Sequence, residues 1–108
     1  MLEPGIDRHE WEGEWEVLEQ SLEDDPAATL PDLDELIARM LVARGYDVDD
    51  PVAREGEERE VVAEFTAARD VADAVQRAED VDPGDVADAV NAYRELYAFL
   101  LDDPGAAP

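Results

Sequence analysis

The stretch PDLDELIARMLVARG, Pro31 to Gly45, decides the fold class. Leu33, Leu36, Ile37, Met40 and Leu41 fall at i, i+3, i+4, i+7 and i+8, which places them along one side of an α-helix and leaves charged residues on the other. Gly45 follows Arg44 as a stop, because glycine enters the left-handed conformation that closes a helix without a steric cost. Pro31 suits a first helical position, with Thr29 or Leu30 before it as the flanking residue. The pattern predicts a helix from about Pro31 to Arg44 with one buried face.

Three further helices are read outward from this one. Upstream, Asp7 and Glu10 have capping-box spacing and open a helix over Arg8–Leu22, which the run EDDPAAT, Glu23 to Thr29, then breaks. Downstream, GYDVDDPVAREGE, Gly45 to Glu57, holds no sustained period and reads as a long connection. A third helix is expected over Glu57–Glu79, with Val61, Phe65, Ala68, Ala72 and Val75 in register. Asp82 then caps a fourth, with Pro83 at its first position and Asp85 near the positive dipole end. It runs to about Leu101, with Val86, Val90, Tyr93, Tyr97 and Leu100 along its seam.

The string VADAV recurs at Val71–Val75 and Val86–Val90, on either side of the turn near Asp80–Asp82. Its alanines permit close approach, so the third and fourth helices are expected to form an antiparallel hairpin. The fold class is therefore all-α, a small bundle of about four helices. Residues 1–101 form a single helical domain and 102–108 a disordered tail. A chain of 108 residues has room for one such core.

Charge constrains function more sharply than any motif. There are 31 acids against 8 Arg, no Lys, and a formal net charge of −23. Such a field repels phosphate backbones and anionic lipid, so neither nucleic acid nor membrane is an expected partner, and basic proteins or cations are attracted. With 45% hydrophobic residues in regular spacing, the acidity coats a folded body; it suits a salt-adapted organism or a GC-rich genome. There is no cysteine, hence no disulfide or thiolate chemistry. The start MLEPGIDRHE lacks a signal-peptide pattern and no run approaches the ~18 apolar residues of a membrane span, so a cytoplasmic location is expected.

The segment RHEWEGEWEVLEQ, Arg8 to Gln20, holds the single histidine and both tryptophans. On a helix, Trp11, Trp15, Leu18 and Leu22 fall within about 60° of one another and form a dry seam. Glu12, Glu16, Glu19 and Glu23 form a second stripe about a quarter turn away, with His9 at its edge. His9, Glu12 and Glu16 are the candidate ligands for a hydrated Ca²⁺ or Mg²⁺, but they lie off the apolar face and lack the Glu-x-x-His pairs of helical di-iron sites, so no metal or other cofactor is expected. Ser21 and His9 would stand ~18 Å apart along one helix and cannot act as nucleophile and base. No catalytic residue is assigned. Glu35–Arg39, Glu55–Arg59 and Asp73–Arg77 are acid-before-base pairs at i, i+4, suited to support of their own helices.

The fourth helix carries more apolar surface than a single neighbour covers. Ala89, Ala92, Leu96 and Phe99 widen its arc to roughly 200°. Either it is the central helix, or Leu96, Phe99, Leu100 and Leu101 form a contact with another chain. The expectation is a non-catalytic, acidic interaction module that binds itself or another protein through this face. The alternatives are an electrostatic decoy for a basic protein surface and a carboxylate metal-binding protein.

Overall fold

The computed structural model describes residues 4–46 and 56–102. Among them it holds four α-helices and no strand: α1 (Pro4–Asp24), α2 (Pro26–Ala43), α3 (Gly56–Gln76) and α4 (Pro83–Asp102). The all-α class stands as expected. The connection over 47–55, the Glu55–Arg59 pair and the tail from 103 onward lie outside the described residues.

The second helix begins earlier than its periodicity suggests. Asp25 is its N-cap: the side chain accepts a hydrogen bond from the Ala28 amide at 3.2 Å, and Pro26 occupies the first turn. Pro31 therefore lies inside α2, where it has no N–H to offer the Ala27 carbonyl. What offsets that loss is burial, since the earlier start carries Thr29 and Leu30 into the core. The Thr29 hydroxyl is satisfied there by donating to the Asp25 carbonyl at 2.8 Å. At the other end Gly45 takes φ 92°, its amide donates to the Val42 carbonyl at 3.0 Å, and the Tyr46 amide donates to Leu41 at 2.9 Å. This pair of bonds is a Schellman closure, with buried Tyr46 as its hydrophobic seal.

Two other boundaries shift for similar local reasons. Pro4, with its fixed φ, starts α1, so Asp7 lies within the helix and does not cap it. The third helix stops at Gln76, because Ala78 adopts φ 59° and a second Schellman closure forms, Ala78 to Val75 and Glu79 to Ala74, both at 3.0 Å. Asp82 caps α4 as its spacing indicates, accepting from the Gly84 amide at 2.8 Å.

The helices run alternately up and down. Glu14 pairs with Arg39, Asp34 with Arg69, and Phe65 meets Tyr93 edge-on, which makes each successive pair antiparallel. The α3–α4 hairpin closes over the small side chains Ala68, Ala72 and Ala89, all buried. α2 packs against all three other helices and is the central one; Leu30, Leu33, Leu36, Ile37, Met40 and Leu41 are essentially inaccessible. α1 lies outermost, with Leu22 buried and Trp11, Trp15 and Leu18 half-buried against the core.

Candidate functional site

Among the described residues, several polar side chains join one helix to another. Asp34 on α2 receives three hydrogen bonds from Arg69 on α3, at 3.0 to 3.2 Å, and a fourth at 2.8 Å from the hydroxyl of Tyr93 on α4. The Arg69 guanidinium also lies 4.6 Å from the centroid of the Phe65 ring. Tyr93 has no accessible surface, so its hydroxyl depends on Asp34, and burial together with the adjacent carboxylate pushes its pKa upward. A polar cleft of about 300 Å³ beside this triad is lined by Asp34, Glu35, Arg39, Arg69 and Asp73 among others. Both arginines in it are already engaged, Arg69 by Asp34 and Arg39 by Glu14 at 2.6 Å.

Among the described residues, two further arginines also join helices. Arg94 on α4 meets Glu19 on α1 at 3.0 Å, and Arg44 donates from Nε to the Leu100 carbonyl at 2.9 Å, capping the end of α4. The expected partners Glu35–Arg39 and Asp73–Arg77 give way to Glu14–Arg39 and Arg77–Glu79, the latter at 2.6 Å. The Glu14–Arg39 pair is bidentate, at 3.3 and 2.6 Å, a geometry that strengthens a charge-assisted hydrogen bond, whereas Arg77 takes a carboxylate two positions on, past the end of α3. Asp34 and Tyr93 carried one legible signal: a Tyr on an apolar helix seam needs a buried acceptor. Which acid supplies it is a tertiary fact.

The candidate ligands His9, Glu12 and Glu16 are all exposed on the outer side of α1. Among the described residues no group of three His, Asp or Glu side chains stands close enough to hold a metal ion. The tryptophan seam faces inward: Trp15 stacks on Tyr97 with ring centroids 4.1 Å apart and planes 5° from parallel, and Arg39 sits 5.8 Å from the Trp11 ring centroid. Of the four α4 residues considered for a contact with another chain, Leu96 and Leu100 are buried within the chain's own core, and only Phe99 and Leu101 keep partial exposure. The wide apolar arc of α4 is taken up by α2, α3 and the aromatic contact with α1.

At the opposite end of α4 apolar surface stays open. α1 meets α4 through Trp15 on Tyr97 and Glu19 on Arg94. Toward the start of α4, Val90, Ala87, Val86 and Pro83 line a groove of about 480 Å³ together with Leu22, Ala27 and Val81. Pro26, Pro83 and Ala87 are exposed along it, while Ala27 and Val81 are half-buried. The groove exists because α1 ends at Asp24 and the chain turns into α2, leaving the first turns of α4 without a fourth helix over them. Sequence reasoning placed Leu22, Val86 and Val90 on apolar seams and Pro83 at the start of α4, and it did not single out the groove that they border, because a helical wheel does not show which part of a seam a neighbour leaves open.

No protein-family model matches the chain, and no curated protein or solved structure is similar to it at a significant level.

Proposed function

We propose that this chain is a non-catalytic interaction module, a helical bundle whose groove at the start of α4 receives a helical segment of a partner. The single observation behind this reading is a division of labour on the surface. The arginines at 39, 69, 77 and 94 are held in ion pairs and the Tyr93 hydroxyl is bonded to Asp34, whereas a groove of about 480 Å³, lined mostly by apolar residues, stays open with Pro26, Pro83 and Ala87 exposed along it and Leu22, Val86 and Val90 in its floor. Apolar concavities of this size are where partners and ligands gain most from leaving water.

The decoy reading has less support. Exposed carboxylates stand on all four helices, for example Glu16, Asp32, Asp70 and Asp88, which favours a solvating coat over phosphate-like rows on one face. Self-association through the end of α4 is weakened by the burial of Leu96 and Leu100. A neutral, polarity-sensitive dye tests the proposal. Bound stoichiometrically to the folded chain, it should shift to apolar emission, and Ala87→Glu, on an exposed residue lining the groove, should abolish the shift. Emission that stays water-like with the unaltered chain would refute the reading.

A further inference from the structure

Resting on that docking reading, we infer that the occupant of the groove is a basic amphipathic helix belonging to another protein, not a second copy of this chain. The groove has an apolar floor and an acidic frame. Asp25 lines the groove, and further acids adjoin its lining residues along the chain: Glu23 and Asp24 at the end of α1 next to Leu22, Asp80 and Asp82 on either side of Val81, and Asp85 before Val86. These acids are exposed. Among the described residues the cation that lines the groove is Arg94, which is paired with Glu19, and Arg77 just past the end of α3 is paired with Glu79.

Helix dipoles do not alter this balance. The starts of α2 and α4 and the ends of α1 and α3 meet at the same end of the bundle, so partial charges of about +0.5 and −0.5 cancel in pairs. The frame is left with the charge of its carboxylates. A second copy would bring the same frame and its own net charge of −23 against it, and like charges juxtaposed across an interface are costly. A helix with Lys and Arg flanking an apolar stripe would place its stripe on Val86, Ala87, Val90 and Leu22 and its cations on the frame. The part of α4 that lines the groove, from Pro83 to Arg94, is about three turns long, with Pro83 and Ala87 exposed and Val86 and Val90 forming the floor, which suits a short helix laid along it.

The test uses the full chain and two synthetic amphipathic helices with identical Leu/Ala faces, one with Lys and Arg on its polar face and one with Glu. Amide NMR shifts map where each binds at about 0.15 M salt, with sedimentation reporting the chain's own oligomeric state. The basic peptide should perturb residues of the groove and the acidic one should not. Ala87→Glu adds an acid while filling the groove, so it should weaken the basic peptide about tenfold, and Asp24→Asn with Asp80→Asn should weaken it severalfold. Because the exposed Ala87 packs against nothing deep, circular dichroism should show the fold retained. Shifts spread over the whole surface, with binding unchanged or tightened by Ala87→Glu, would mean only unspecific attraction to an acidic protein and overturn the inference. Equal docking of both peptides would leave the module reading standing and refute the basic partner. A dimer of the chain that Ala87→Glu dissociates would assign the groove to a second copy. Docking of neither peptide would end both readings.

Discussion

Replacing Asp34 with Ala probes the triad that ties α2, α3 and α4 together. The carboxylate accepts from Tyr93 at 2.8 Å and from Arg69 at 3.0 to 3.2 Å, and its side chain is only 14% exposed. Its removal leaves the Tyr93 hydroxyl wholly buried without its acceptor, a cost of about 1–3 kcal/mol, and deletes a hydrogen bond to a charged group worth about 1.5–3 kcal/mol. The Arg69 contribution is discounted, because that side chain is 34% exposed and can turn to water or Asp73. The two figures describe the same lost bond, so the expected total is about 1.5–3 kcal/mol, a large part of the ~5–15 kcal/mol that holds an ordinary domain together. Tyr93→Phe alone should cost about 1.5–3 kcal/mol. In the Asp34→Ala background the same change should be neutral or stabilising, since it removes a stranded hydroxyl. Urea unfolding followed by circular dichroism gives all four corners of this cycle. If Tyr93→Phe costs the same in both backgrounds, the two residues are not coupled and the account of the triad fails.

Trp15→Ala should destabilise by about 2–3 kcal/mol in the same assay, below the ~3–5 kcal/mol of a fully enclosed ring, because Trp15 is half-buried and stacked on Tyr97; Glu12→Gln with Glu16→Gln should change stability little, with or without divalent cations. Ala78→Gly should stabilise by about 1 kcal/mol in thermal unfolding, since Ala78 holds φ 59° at the close of α3, and a destabilising result would contradict the strain assigned there. Burial and the neighbouring Glu95 raise the pKa of Glu64, so the native state keeps this proton more tightly than the unfolded chain does. The stability it contributes is present below the ordinary glutamate range and is lost as pH rises through the raised native value; Glu64→Gln should flatten that part of the stability profile, and an unchanged slope would show that burial does not raise the Glu64 pKa.

Part of the local information was legible in the chain, while the capping role expected of Asp7 and the pairs Glu35–Arg39 and Asp73–Arg77 did not form as read. The periodicity of Leu33, Leu36, Ile37, Met40 and Leu41 names a helix and its buried face, Asp82 and Pro83 mark the start of α4, and Gly45 marks the end of α2. Each of these depends on backbone groups a few residues away, which the sequence lists in order. The start of α2 was harder, because two prolines compete for it: Pro31 looks like a first residue, and only the burial of Thr29 and Leu30 against the rest of the bundle selects Pro26.

The partners of the cations were not legible at all. Arg39, Arg69 and Arg94 take acids 25, 35 and 75 positions away, and in a chain with 31 acids every arginine has many acceptable partners nearby in sequence. The fate of α4's apolar arc was equally open, since a helical wheel shows how wide a face is and not how many neighbours cover it. Composition and spacing therefore determined an acidic all-α bundle. Packing alone decided that Leu96 and Leu100 lie inside it, while Pro83, Val86, Ala87 and Val90 border an open groove, because coverage depends on where α1 ends relative to α4 and no residue encodes that distance by itself.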